Sequence, residues 1–180
     1  MRSAPDYFRS RSRVDVTAPC CELCMQLLVP ENLAAPGAFM TFVLAVEEAC
    51  ERLGRMTSER SAQLKELVAA FNAHDLDRIM EFFSDDCVLE TPRGPDPWGT
   101  RFEGRPAVRE GLTARFEGLP DVHYRDDEHW VCGDHAVSKW LLTGTTRDGQ
   151  QVRVRGCDLF DLASDGRVTR KDSYWKIVAQ

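Results

Sequence analysis

The chain has 180 residues, 43% of them hydrophobic and 29% charged, with a formal charge of −6; this describes one globular domain with room for an appendage, not a disordered chain. The acidic balance excludes the clustered basic face that a nucleic-acid partner demands, and the longest apolar run, Ala38 to Val46 interrupted by Thr41, is far short of the roughly 20 residues that cross a bilayer. Residues 1–37 lack the charged, apolar and small-residue order of a secretory signal, and seven cysteines, an odd number, argue for cytoplasmic thiols over a disulfide framework.

Residues 1–55 differ in kind from the rest, with Pro5, Pro19, Pro30 and Pro36 beside the cluster Cys20, Cys21 and Cys24. Cys21-Glu22-Leu23-Cys24 has half of a zinc-ligand spacing, but no second pair or histidine follows nearby, and a structural site needs about four ligands. No metal is expected. The segment 1–55 reads as an N-terminal extension, poorly ordered or carrying a single helix over 38–53 that Gly54 ends, and Met56 is a candidate natural start. Residues 56–180 form the folded domain.

Leu64, Leu67, Val68 and Phe71 have the i, i+3, i+4, i+7 spacing of one buried helix face, and Leu76, Ile79, Met80 and Phe83 repeat it behind Asp75, an N-cap type residue. Cys87 to Thr91 reads as a short strand ended by Pro92, followed by a loop that holds Trp98. A third helix starts at Gly104-Arg105-Pro106 and puts Val108, Leu112 and Phe116 on one side. Four long strands follow, 122–132, 135–146, 151–162 and 167–177, joined at Gly133-Asp134, Asp148-Gly149 and Asp165-Gly166. Three helices followed by an antiparallel meander make an α+β fold, with helices covering one face of a curved sheet. The bare opposite face predicts a homodimer.

Asp158 and Asp172 lie seven residues before and after Asp165, so a symmetric hairpin brings them together. Two acids sharing an apolar cavity repel each other and lose solvent, which raises at least one pKa and sets a proton donor beside a base. The competing reading is a pair neutralised by Arg170, Lys139 or Arg155. Arg153, Arg155, Arg167, Arg170 and Lys171 read as a solvated basic strip.

The order of elements, and above all Phe71-Asn72-Ala73-His74-Asp75-Leu76-Asp77 followed by Phe82-Phe83-Ser84-Asp85-Asp86-Cys87-Val88, resembles the nuclear transport factor 2-like superfamily over residues 60–178, nearest its SnoaL-like and steroid delta-isomerase-like groups. The resemblance implies a cone-shaped curved sheet wrapped by three N-terminal helices, with a small apolar ligand at the open end. It implies a proton-donor role for Asp158, by analogy with the protonated aspartate of ketosteroid isomerase. The position of Asp172 matches the last-strand aspartate of SnoaL-like cyclases and of limonene-epoxide-hydrolase-like proteins. The general-base aspartate and first-helix tyrosine of the steroid isomerases have no match, since this chain carries Glu90-Thr91-Pro92 and Leu67 there.

Asp158 and Asp172 are therefore the candidate catalytic residues, and Trp98, Trp140, Tyr174, Phe160 and Glu90 the candidate ligand contacts. Glycine-rich phosphate loops and a nucleophile elbow are missing from the sequence, so no cofactor is expected. The expected activity is cofactor-free acid–base chemistry of isomerase, cyclase or epoxide-hydrolase type on a small apolar or polycyclic molecule. The alternative is a non-catalytic ligand-binding or dimerisation module.

Overall fold

The computed structural model describes residues 36–178, with side chains from Leu44 onward except Val46. The cysteine cluster and the early prolines lie outside the described residues. The chain divides into two compact units, Met1–Gly54 and Arg55–Gln180.

Helix α1 spans Pro36–Asn72, so the break expected at Gly54 does not occur. A glycine inside a helix costs only about 1 kcal/mol against alanine, and Glu51, Arg52, Leu53, Arg55 and Met56 around it are helix formers. Helix α2, Leu76–Glu81, starts where expected because the Asp75 carboxylate accepts the Arg78 amide at 2.9 Å. Strand β1 spans Phe83–Glu90, β2 Arg101–Glu103, and helix α3 Arg105–Gly118. Strands β3 (His123–Cys132), β4 (His135–Thr145), β5 (Gln151–Leu162) and β6 (Val168–Trp175) make the meander.

The six strands form one curved, unclosed sheet in the order β2-β1-β6-β5-β4-β3. Neighbours run antiparallel except β1 and β6, which are parallel. The core is packed on the concave face, where Leu64, Leu67 and Phe71 of α1, Ile79 and Met80 of α2, and Val108 and Leu112 of α3 meet Leu89, Tyr124, Trp140, Leu142, Phe160 and Val168 of the sheet. Arg60, 6% exposed, ties α1 to two strand-connecting turns through the carbonyls of Gly133 and Ala163 and the carboxylate of Asp134.

One irregularity decides the site. The hairpin pairs Leu162 with Val168, three residues either side of Asp165, as symmetry requires, but Asp161 then pairs with Arg170 and leaves Thr169 as an extra residue. This bulge moves the register of the rest of β6 by one position. Asp158 therefore faces Ser173, and Asp172 faces Leu159. Because strand side chains alternate between faces, a one-residue shift sends Asp172 to the opposite side of the sheet.

Candidate active site on the concave face

A cavity of about 60 Å³ opens between the helices and the concave face. Its apolar walls are Phe71 of α1, Leu89 of β1, Leu112 of α3, Tyr124 of β3 and Trp140 of β4, with Arg115 and Trp175 also on its lining. Asp158, Lys171 and Ser173 supply its polar part. Asp158 is 5% exposed, and three donors converge on its carboxylate: Trp140 Nε1 at 2.9 Å, Lys171 Nζ at 2.6 Å and Ser173 Oγ at 2.7 Å. Lys171 also donates to Ser173 Oγ at 2.7 Å, and its ammonium lies 5.7 Å from the Phe71 ring centre and 5.9 Å from that of Phe160. A buried charge is tolerated only when paired and hydrogen-bonded. The Lys171–Asp158 pair meets that condition and places a proton donor and a proton acceptor on one cavity.

Trp140 is held over Gly156, its partner on β5, where an added Cβ would lie 2.3 Å from the indole Cη2. The space beside Asp158 on β5 is thus filled by the tryptophan that donates to its carboxylate.

The expected pairing of Asp158 with Asp172 is not found. Asp172 is buried on the other face, where Arg170 Nη2 reaches it at 3.0 Å and Tyr174 donates its hydroxyl at 2.8 Å. The same Arg170 nitrogen donates to Glu90 at 2.6 Å, so a guanidinium neutralises two buried acids there. The hydrogen bond from Tyr174 to Asp172, followed by that carboxylate's charge, pushes the phenol pKa up. Burial raises the Cys157 thiol as well, with Asp158 and Asp172 adding to it.

Among the candidate ligand contacts, Trp140 lines the cavity. Phe160, 3% exposed, lies in the core next to the Lys171 ammonium and off the lining. Glu90 and Tyr174 belong to the Arg170 cluster on the opposite face. Trp98 is 46% exposed and outside the cavity lining. Lys171, expected in a solvated strip, is 5% exposed.

Sequence reasoning missed Lys171 and Ser173. Their period-two spacing was visible, but the register that turns that face toward Asp158 depends on the bulge. A second polar chain was also missed: His129 joins Ser138 Oγ at 2.7 Å and Asp127 at 2.9 Å. Ser138 is 1% exposed and off the cavity lining, so this chain stays inside the sheet's packing. Among the described residues no cluster of metal-ligating side chains occurs, and no helix is long and apolar enough to cross a membrane.

Comparison with known proteins bears on the fold and the family. The SnoaL-like domain family matches residues 64–171. A nuclear transport factor 2-like protein of unknown function from Mesorhizobium loti is similar at 30% identity and TM-score 0.54, covering 67% of this chain and 93% of that one. SalBIII, described as an epoxide hydrolase/cyclase-like enzyme in pyran ring formation of salinomycin, is similar at 22% identity and TM-score 0.58, over 67% and 92% of the two chains. A putative isomerase from Bacillus subtilis aligns at 19% identity and TM-score 0.57, over 66% and 87%. No functionally curated protein matches. With more than half of its residues matched and the curved sheet and helices of that fold in place, the chain belongs to the SnoaL-like domain family.

Proposed function

We propose that the domain binds a small, largely apolar molecule in the concave cavity and carries out cofactor-free proton transfer on it, of isomerase, cyclase or epoxide-hydrolase type. The observation that carries this reading is the Lys171–Asp158 pair, buried, hydrogen-bonded and on the lining of a largely apolar cavity. Asp158 serves as the proton acceptor, and the Lys171 ammonium is the donor to an oxygen that gains charge. The resemblance to SalBIII and to a putative isomerase supports this class of chemistry.

The cavity's size favours a compact ligand. Its volume of about 60 Å³ is well below the roughly 150 Å³ of an engineered cavity that takes up benzene. A polycyclic molecule enters only if the cavity walls move apart. The free thiols of Cys87, Cys132 and Cys157 support a reducing, cytoplasmic setting.

The second reading, a dimerisation module, draws support from the outer sheet face, where Trp130, Leu159 and Tyr174 are 51%, 40% and 51% exposed. The two readings are compatible if the dimer forms on the outer face while the cavity serves a ligand.

The test is a thermal-shift screen of small ketones, enones and epoxides, since a specific binder stabilises by mass action, followed by turnover assays of each binder. Asp158→Asn should lower turnover by about 10²–10⁴-fold, the usual worth of a general acid–base group. A binder turned over equally well by this variant would leave the cavity a binding site without the proposed chemistry.

A further inference from the structure

Two arginines share one aromatic ring at the cavity. The guanidinium of Arg115 lies 4.8 Å from the centre of the Trp175 ring and that of Arg93 lies 5.4 Å from it. Arg115 and Trp175 line the cavity, and Arg93 follows Pro92, which lines it too. Neither guanidinium has a carboxylate within 4.0 Å among the described residues, whereas Arg60, Arg78, Arg101, Arg105, Arg109, Arg147, Arg167 and Arg170 each have one. Arg125, Arg153 and Arg155 likewise lack a carboxylate partner among the described residues, so what sets Arg93 and Arg115 apart is the ring that they share at the cavity.

Arg93 is exposed and Arg115 half-buried, so both guanidiniums are open to an incoming anion. Like charges that share a ring repel each other, and the ring quadrupole offsets only part of that repulsion. Among the described residues, Asp158 is the one acid on the cavity lining, and it is already engaged by Lys171, Ser173 and Trp140. A ligand that brought one carboxylate would neutralise the rim. The guanidinium fork matches a carboxylate in two parallel hydrogen bonds.

We infer that the ligand is a small monocarboxylic acid, with its carboxylate held by Arg93 and Arg115 at Trp175 and its apolar part directed into the cavity toward the Lys171–Asp158 pair. This inference rests on the proposed use of the cavity and adds the ligand's charge and orientation. Binding energy at the charged end then fixes which carbon of the apolar part meets the reacting groups. Neutral molecules of the same shape lack that anchor and bind in more than one direction.

The test uses the full chain and two matched pairs sized to the cavity, butanoate against butanamide and 3-methylbutanoate against 3-methylbutanamide, followed by calorimetry and by tryptophan fluorescence. Each acid should bind about tenfold or more tightly than its amide, a typical worth for a charge-assisted hydrogen bond. Arg115→Gln and Arg93→Gln should each remove most of that preference and leave the melting temperature near that of the parent. Arg115→Lys should keep part of the preference, because charge remains while the planar fork is lost. Acids and amides that bind equally would overturn the inference while sparing the cavity itself as a binding site. An acid preference that survives both glutamine variants would overturn it as well, by placing the anion elsewhere. Failure of all four compounds to bind would count against both the inference and the cavity reading on which it stands.

Discussion

At the scale of single residues, Lys171 and Asp158 are each other's condition for burial. Removing one member of such a pair leaves the other charge unpaired in an apolar setting, at a cost of about 3–5 kcal/mol, whereas replacing both with apolar residues of similar volume is often close to neutral. Asp158→Leu should therefore destabilise the domain by about that amount, and Asp158→Leu with Lys171→Met by much less than the sum of the single changes. Denaturant unfolding of the four proteins in the cycle measures this; additive losses would show that the two side chains do not interact. On the opposite face, Tyr174 reports the position of Asp172. Its folded pKa is raised above the ordinary value near 10, so the stability it contributes is present below that value and lost as pH rises through the folded pKa. A tyrosinate absorbance titration should show a late-titrating phenol that disappears in Tyr174→Phe and titrates earlier in Asp172→Asn. If Asp172→Asn leaves the titration unchanged, Asp172 does not lie against that phenol.

At the scale of elements, the β5–β6 hairpin shows how far the sequence can be read. Asp165-Gly166 marked the turn, and Gly166 indeed has φ of 86°. The alternating residues marked both strands to within a few positions. Thr169 carries no mark of a bulge: it is neither glycine nor proline, and its neighbours Val168 and Arg170 are ordinary strand residues. That one residue reversed the face of everything beyond it, so Asp158 was legible as an inward acid while its true partner, Lys171, was read as part of a solvated strip. The helix pattern was legible for the same reason that it is robust, since a face repeated every three or four residues survives small errors of boundary, whereas a period of two does not. Gly54 misled in the opposite sense, because an exposed glycine flanked by good helix formers is too weak a signal to end a helix. Gly156 carries the element-scale prediction. A methyl group there would meet the Trp140 indole at 2.3 Å and the Tyr174 carbonyl at 2.4 Å. Gly156→Ala should cost about 1–3 kcal/mol, the usual range for overpacking, and should weaken ligand binding by displacing the indole that donates to Asp158. An unchanged melting temperature would show that the β4–β5 contact is looser than described.

At the scale of the whole molecule, the proposed division of labour is a concave face for the ligand and a convex face for a second copy. Leu159→Glu and Trp130→Glu put charge on exposed convex positions. Light scattering should then show a dimer for the parent and a monomer for each variant, with ligand binding retained; a parent that is monomeric at micromolar concentration would remove the dimer. Residues 56–180 should unfold cooperatively on their own, because Arg60, Leu64 and Leu67 still anchor the remaining part of α1. Starting the helix at Met56 exposes four backbone N–H groups, a loss that Thr57 or Ser58 as a new cap would partly offset. Loss of cooperative unfolding would show that residues 1–55 are part of the fold.

The assignment of chemistry to one face of the sheet is tested most directly by proton exchange at carbon. With a ketone that the thermal-shift screen shows to bind, deuterium uptake from heavy water at the carbon next to the carbonyl is followed by NMR for the parent, Asp158→Asn and Asp172→Asn, each checked for folding by its melting curve. The concave site requires that Asp158→Asn slows enzyme-dependent exchange by about 10²–10⁴-fold while Asp172→Asn stays within a few-fold of the parent. Exchange that is lost in Asp172→Asn and retained in Asp158→Asn would contradict it.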